Sequence, residues 1–270
     1  MRIKSGIRCL TLLAVLAFLT SCDQFEFSPN QYFDHSSPSN LNAQNLARLR
    51  QHAADDTVTI VFAGDTQRWY AEQERFVNKV NSLENVDLVL LAGDISDFGL
   101  LQEFKWVHKR LSELRVPYFA IIGNHDMVAN GRQIFRQMFG ELNYSFVYGG
   151  IKFIAHNTNG LEAPGEHIPD LGWLAHELQN TERARHIITV SHVPPFNPAE
   201  FGPESLEPYT QLLQNTPNLL LSLHGHVHQH QDYSPFGDNV RYMTSFSFEQ
   251  SAFVLLRIVN GQVIKSTIPY

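Results

Sequence analysis

The stretch Thr57-Val58-Thr59-Ile60-Val61-Phe62-Ala63-Gly64-Asp65 decides the fold. It is a short β-branched, apolar run that stops at Gly-Asp. The same device returns as Val86–Ala92 followed by Gly93-Asp94, and again as Tyr118–Ile122 followed by Gly123-Asn124-His125-Asp126. Between these runs, Tyr70–Leu83 carries Phe76, Val77, Val80 and Leu83 on one side. Leu100–Leu114 carries Leu101, Phe104, Val107, Leu111 and Leu114 at helical spacing. Asp65 and Asp94 lie 29 residues apart, and Asp94 and Asn124 lie 30 apart. Each interval is about one strand–helix unit. Continuous apolar strands alternating with amphipathic helices predict an α/β domain whose sheet is covered on both faces.

Working outward, further strands are expected at Tyr144–Tyr148, Ile151–His156, His186–Ser191, Leu219–His224, Val240–Ser247 and Ala252–Val259. Helices are expected at Leu171–Thr181 and Glu204–Gln214. Two of these strands end in chemistry: Ser191-His192-Val193-Pro194-Pro195 and His224-Gly225-His226-Val227-His228. Ligands of α/β sheets bind beyond the carboxyl ends of strands. A lone Gly-Asp there is most often a plain turn. Five strand ends that all carry oxygen or imidazole donors point instead to a cation site of Mn, Fe, Zn, Co or Ni character. His224 and His230 flank the last block; His224 is read as packed or solvent-exposed, with support of the block's histidines as the alternative, and His230 as solvated.

The chain has 270 residues, 43% of them apolar, enough for a sizeable core. Its formal charge is −7, and no basic block follows the N-terminus, so nucleic acid is not an expected partner. Two cysteines exclude a disulfide framework. Arg2, Lys4 and Arg8 precede an apolar run from Cys9 to Leu19, which is the layout of an export signal. Leu19-Thr20-Ser21-Cys22 resembles the lipobox of bacterial lipoproteins, in which the cysteine is lipidated and becomes the first residue. The expected organisation is a lipoprotein signal at 1–21, a tether at 22–56 and one domain at 57–270. Leu41, Leu46 and Leu49 would line a short helix within the tether that ends near Asp55. Phe25, Phe27, Tyr32 and Phe33 could dock on the domain. On this reading the protein is exported, anchored to a membrane by lipid, and faces the periplasm or the cell exterior.

Taken together, the blocks resemble those of the calcineurin-like metallophosphoesterases, from about Thr57 to the C-terminus. The resemblance implies an αββα sandwich of two mixed sheets flanked by helices, with a two-metal site of Mn, Fe or Zn. It implies that Asp65 and His228 bind one metal, that Asp94 bridges both, and that Asn124, His192 and His226 bind the other. His125 becomes the acid for the leaving group, and Asp126 the residue that orients or tunes it. A hydroxide shared by the metals would attack phosphorus in a mono- or diester of a small phosphorylated substrate. Gln67 departs from the family pattern, which usually has His there; its amide oxygen is expected to contact the first metal. Asp97 is expected to make a turn contact or a contact to the residues around the metals, not a metal bond. Arg68, Arg132 and Arg136 are candidate phosphate contacts, and His156 and His167 candidates for approaching the site. Two other classes stay open at this point: a degenerate relative that binds metal or a phosphorylated ligand without turnover, and a lipoprotein that uses the fold as a scaffold.

Overall fold

The computed structural model describes residues 33, 36–51, 56–237 and 239–270. The signal stretch, Cys22, Phe25, Phe27 and Tyr32 lie outside the described residues. Among those described, two sheets form. The first has five strands: β1 (Thr57–Ala63), β2 (Leu88–Leu91), β3 (Tyr118–Ala120), β10 (Ala252–Val259) and β11 (Gln262–Pro269), in the order β11-β10-β1-β2-β3. The second has six: β4 (Tyr144–Tyr148), β5 (Ile151–Ala155), β6 (His186–Val190), β7 (Leu219–His224), β8 (Gln231–Tyr233) and β9 (Tyr242–Thr244), in the order β4-β5-β6-β7-β9-β8. Both sheets are mixed. β1, β2 and β3 run parallel, and β10 returns antiparallel to β1. β5, β6, β7 and β9 run parallel, with β4 and β8 antiparallel at the edges.

The layers follow from the period-two alternation of strand side chains. In β1, Ile60 and Phe62 face the second sheet and pack with Phe153, Ile188, Val190, Leu221 and Leu223. Val61 and Ala63 face the other way. There they meet Phe76 and Val77 of α2 (Tyr70–Asn81), Phe104 of α3 (Leu101–Leu111) and Phe135 of α4 (Gly131–Met138). On the far side of the second sheet, Ile154 and Ile187 pack with Leu174 of α5 (Leu171–Gln179) and with Tyr209 and Leu213 of α7 (Pro203–Gln214). The result is helix, sheet, sheet, helix, as the resemblance implied. A short helix, α6 (Pro198–Phe201), precedes α7.

Several boundaries differ from expectation. The helix expected to end near Asp55 is α1 (Leu41–Leu49), and it is packed, not loose. Its Leu41 and Leu49 are buried, and the Asn42 carboxamide pairs with both the N–H and the C=O of Ala120, at 2.9 and 3.0 Å. That amide occupies the free edge of β3 as another strand would. The strand expected over Val240–Ser247 shrinks to Tyr242–Thr244. β8, β11, α4 and α6 lie outside every expected strand and helix. No helix among the described residues is long and apolar enough to cross a membrane.

Candidate metal centre

Five strand ends deliver the site. β1 runs into Asp65 and Gln67, β2 into Asp94, β3 into Asn124 and His125, β6 into His192, and β7 into His226 and His228. The chain bends sharply to aim them. Asp65 and Asp94 both sit at φ 53°, His226 at 69° and His228 at 57°. The left-handed region costs a non-glycine residue about 1–3 kcal/mol, and such strain concentrates where function demands it. Close approach demands glycine beside them. A Cβ on Gly93, itself at φ 88°, would stand 2.4 Å from His192 Nδ1, and one on Gly123 would stand 2.1 Å from Asp94 Oδ1.

The polar atoms converge. Gln67 Nε2 donates to Asp94 Oδ2 at 3.2 Å, and the His125 backbone N–H donates to Asp94 Oδ1 at 3.0 Å. His192 Nδ1 donates to the Ala92 carbonyl at 2.7 Å, so Nε2 is the nitrogen that faces Asn124 Oδ1 at 2.9 Å and Asp94 Oδ1 at 3.3 Å. Asn124 Oδ1 also lies 3.1 Å from His226 Nδ1. The His226 backbone N–H donates to Asp65 Oδ1 at 3.1 Å, and His228 Nε2 stands 3.3 Å from the same oxygen. Asp65, Asp94 and His228 each offer a ligand atom, all within 4.8 Å of one another.

These atoms fit cations. Asp65 Oδ2 and Gln67 Oε1 are buried with no hydrogen-bond partner among the described residues, which is costly unless a ligand takes them up. Burial by itself would raise the Asp94 carboxyl, but the charge and hydrogen bond of His192, and then His125, hold it at about 2. Burial likewise opposes charge on His192, yet Asp94 first and Asp65 next raise it to about 9. A pocket that binds a proton against complete burial is one that favours a cation. His226 is lowered, by burial and then by His192. His228 is raised, chiefly by its hydrogen bond to Asp65. Carboxylate, amide and imidazole donors with no thiolate suit divalent first-row ions.

His125 stands beside this group, partly exposed. Its Nδ1 donates to the Asp97 carbonyl at 2.9 Å and lies 3.5 Å from Asp97 Oδ1. Asp97, in turn, takes a hydrogen bond from Arg68. Asp126 is placed otherwise than expected. Its buried carboxylate accepts from the N–H groups of Ile95, Ser96 and Gly123 and from the Ser96 hydroxyl. It therefore braces the loop that carries Asp94, and the residue that orients His125 is Asp97. Burial first and Asp94 second raise Asp126 to about 7, against the pull of those N–H groups.

Other candidates are placed elsewhere. Arg68 pairs with Asp97, Arg132 makes a two-pronged pair with Glu166 at 2.6 and 2.8 Å, and Arg136 pairs with Glu141. His156 is buried with Nε2 3.0 Å from the Tyr209 hydroxyl. His224 is buried between the hydroxyls of Ser191 and Ser222 at 3.0 and 2.9 Å. His230 is not simply solvated. It lies 2.7 Å from the Thr244 carbonyl and 3.1 Å from Lys265 Nζ. His167 lines a groove of about 760 Å³ between the 160–172 loop and Phe201–Ser205. Sequence reasoning passed over Glu200, whose Oε2 stands 3.5 Å from His226 Nε2. It sits in no strand-end block, and nothing in its local sequence marks it.

Comparison with known proteins agrees with this fold. A 3′,5′-cyclic-nucleotide phosphodiesterase of Nostoc sp. is 26% identical over 197 residues, covering 68% of this chain and 73% of the relative. A dimetal phosphatase from Danio rerio superposes with a TM-score of 0.62 at 15% identity, covering 79% of this chain and 99% of that one. GAP50, the anchor in the inner membrane complex of Plasmodium, superposes with a TM-score of 0.61 at 14% identity, covering 79% of this chain and 84% of that one. At such identities the structural likeness speaks for the fold alone. The family model for calcineurin-like phosphoesterases, however, matches residues 58–230, from the start of β1 to just past the last histidine block. That span takes in every strand end that builds the site, and the chain belongs to the calcineurin-like phosphoesterase family.

Proposed function

We propose that this protein hydrolyses phosphate ester bonds at a two-cation centre held by Asp65, Gln67, Asp94, Asn124, His192, His226 and His228. Asp65, Gln67 and His228 would hold one cation and Asn124, His192 and His226 the other, with the Asp94 carboxylate between them. When bound, two such cations supply positive charge to the phosphoryl oxygens and an acidified water for attack on phosphorus. Asp65 and Asp94 offset two of those positive charges and the neutral donors none, so the centre keeps an attraction for an anionic ester. The observation that carries the reading is the pair of buried, unpartnered oxygens, Asp65 Oδ2 and Gln67 Oε1, on the rim of converging lone pairs.

His125 is the proton donor to the departing oxygen. With Nδ1 engaged at Asp97, Nε2 is the nitrogen that can carry that proton. Asp97 holds the ring through Nδ1–H in this orientation, so that the imidazolium form has its Nε2 proton to give, and Arg68 holds Asp97. Mono- and diesters of small molecules both fall within this chemistry, and the cyclic diester in the name of the Nostoc relative belongs to the same class. The test is hydrolysis of 4-nitrophenyl phosphate and bis(4-nitrophenyl) phosphate by protein loaded with Mn, Fe or Zn. Turnover of at least one substrate that is abolished by chelator and restored by metal is expected. Metal-loaded protein that turns over neither would overturn the proposal and favour a binding module on the same fold.

The proposal extends to location. The basic start, the short apolar run and Leu19-Thr20-Ser21-Cys22 support export and lipid attachment at Cys22. The full chain should then incorporate labelled palmitate and fractionate with membranes, and Cys22→Ala should do neither. Unlabelled, freely soluble full-length chain would contradict it.

A further inference from the structure

The two imidazoles assigned to the second cation are held in different ways. His192 and His226 pack edge to face with ring centres 5.1 Å apart, and each turns one nitrogen to Asn124 Oδ1. A neutral imidazole carries one proton, so the partner of the outer nitrogen decides whether the inner one offers a lone pair. His192 gives its outer Nδ1–H to a backbone carbonyl. His226 has no such carbonyl among the described residues. Its outer Nε2 faces the carboxylate of Glu200 at 3.5 Å.

Glu200 is held for this contact. It lies on α6, whose N-terminus is capped by the Asn197 side chain accepting from the Ala199 N–H at 3.0 Å. The next residue, Phe201, is fully buried and packs on Tyr209 with ring centres 4.8 Å apart. Gly202 then turns the chain at φ 100° into α7. The backbone of Glu200 is thus fixed to the domain while its side chain stays half exposed beside His226.

We propose that Glu200 is a positioning residue for the second cation: its carboxylate accepts the Nε2 proton of His226 and so presents the Nδ1 lone pair to the centre. The inference rests on the two-cation reading of the site and adds to it a residue outside every strand-end block. A carboxylate behind a metal-ligating histidine fixes the tautomer and makes the imidazole a stronger donor. Removing such a partner typically costs about 10–100-fold in metal affinity. Only the His226 cation has a ligand behind which Glu200 stands, so the loss falls on one of the two ions.

The test uses the chain with its first 21 residues removed genetically only if it matches full-length protein in melting temperature; otherwise the detergent-solubilised full chain is used. Mn²⁺ alone is titrated calorimetrically into wild type, Glu200→Gln and Glu200→Ala, and turnover is read against free Mn²⁺. Wild type is expected to take up two ions. Glu200→Ala should weaken one of them about 10–100-fold, and Glu200→Gln, which keeps an acceptor but loses the charge, should fall between. Turnover in both variants should recover at saturating Mn²⁺, which a general loss of structure would not allow. Two unchanged affinities in Glu200→Ala, or an equal weakening of both, would overturn the assignment. Wild type that takes up no divalent ion would overturn the reading of the centre itself, and this inference with it.

Discussion

The two sheets contribute opposite chemistry. From β1, β2 and β3 the first sheet supplies Asp65, Gln67, Asp94 and Asn124, all oxygen donors. From β6 and β7 the second supplies His192, His226 and His228, all nitrogen donors. Each half repels itself or leaves lone pairs unmatched, as the unpartnered oxygens of Asp65 and Gln67 show. A cation satisfies both halves at once. Asp94 is where the halves meet, since it touches Gln67 and His125 from its own sheet and His192 from the other. The apolar layer between the sheets, from Ile60 and Phe62 to Leu221 and Leu223, fixes the distance across which they do so.

Breaking the junction should have the largest effect. Asp94→Asn keeps the volume but removes the charge shared by both halves. A fall on the order of 10⁴-fold in kcat/KM is expected, with metal content reduced, because cation stabilisation of the reacting phosphate is worth several kcal/mol. Retention of both metals and of activity within tenfold would show that the two halves do not depend on Asp94. His125→Ala comes next. A loss of about 10²–10⁴-fold is expected, with both metals retained in elemental analysis. Metal loss in that variant would contradict its role as a proton donor.

Pressing one half against the other should cost stability. Gly93→Ala places a Cβ against His192 Nδ1, at a position with φ 88°. A loss of about 2–3 kcal/mol in denaturant unfolding is expected from strain and steric displacement together. An unchanged midpoint would mean the two strand ends are free to separate. A smaller effect is expected at the support of His125. Asp97→Asn should lower kcat about tenfold at most with little change in KM, since it leaves the carbonyl that accepts from Nδ1 and removes only the carboxylate charge 3.5 Å from the ring of a general acid worth at most about 10⁴-fold. A change confined to KM would place Asp97 on the substrate instead.

The second sheet also holds imidazoles that serve no cation, and they sharpen the contrast. His156 is buried against Tyr209, and burial holds it neutral, down at about 4. In the unfolded chain a histidine titrates near 6.5. The unfolded state therefore binds the proton first as pH falls. Stability is full above about 6.5 and is lost progressively from there towards 4, by up to about 3 kcal/mol. His156→Gln should flatten that part of the acid limb in denaturant titrations, and an unchanged slope would mean that other groups govern it.

Much of this was legible in the residues. The three Gly-Asp or Gly-Asn strand ends and the two histidine blocks carry their own spacing, so the order of donors could be read before the fold was known. The alternation of apolar runs and amphipathic helices gave the layered class. What stayed hidden lacks a local signature. β11 is an edge strand with mostly exposed residues, so it shows no apolar run; its only sign was Asn260-Gly261, both at positive φ in the hairpin turn. Asp97 and Asp126 carry the same side chain, three residues past Asp94 and two past Asn124. Only the fold shows that the Asp126 carboxylate is spent on backbone N–H groups, while Asp97 turns its backbone carbonyl to His125 with its carboxylate 3.5 Å from the same nitrogen. Glu200 could not be found from sequence, because its partner His226 is distant along the chain and the two meet only through the packing of Phe201.

The most direct test is anomalous diffraction at the manganese edge from crystals of Mn-loaded protein. Two peaks are expected, one contacted by Asp65 and His228 and the other by Asn124, His192 and His226, with an Asp94 oxygen between them. A single peak, or peaks away from these strand ends, would contradict the union of the two sheets around a shared pair of cations.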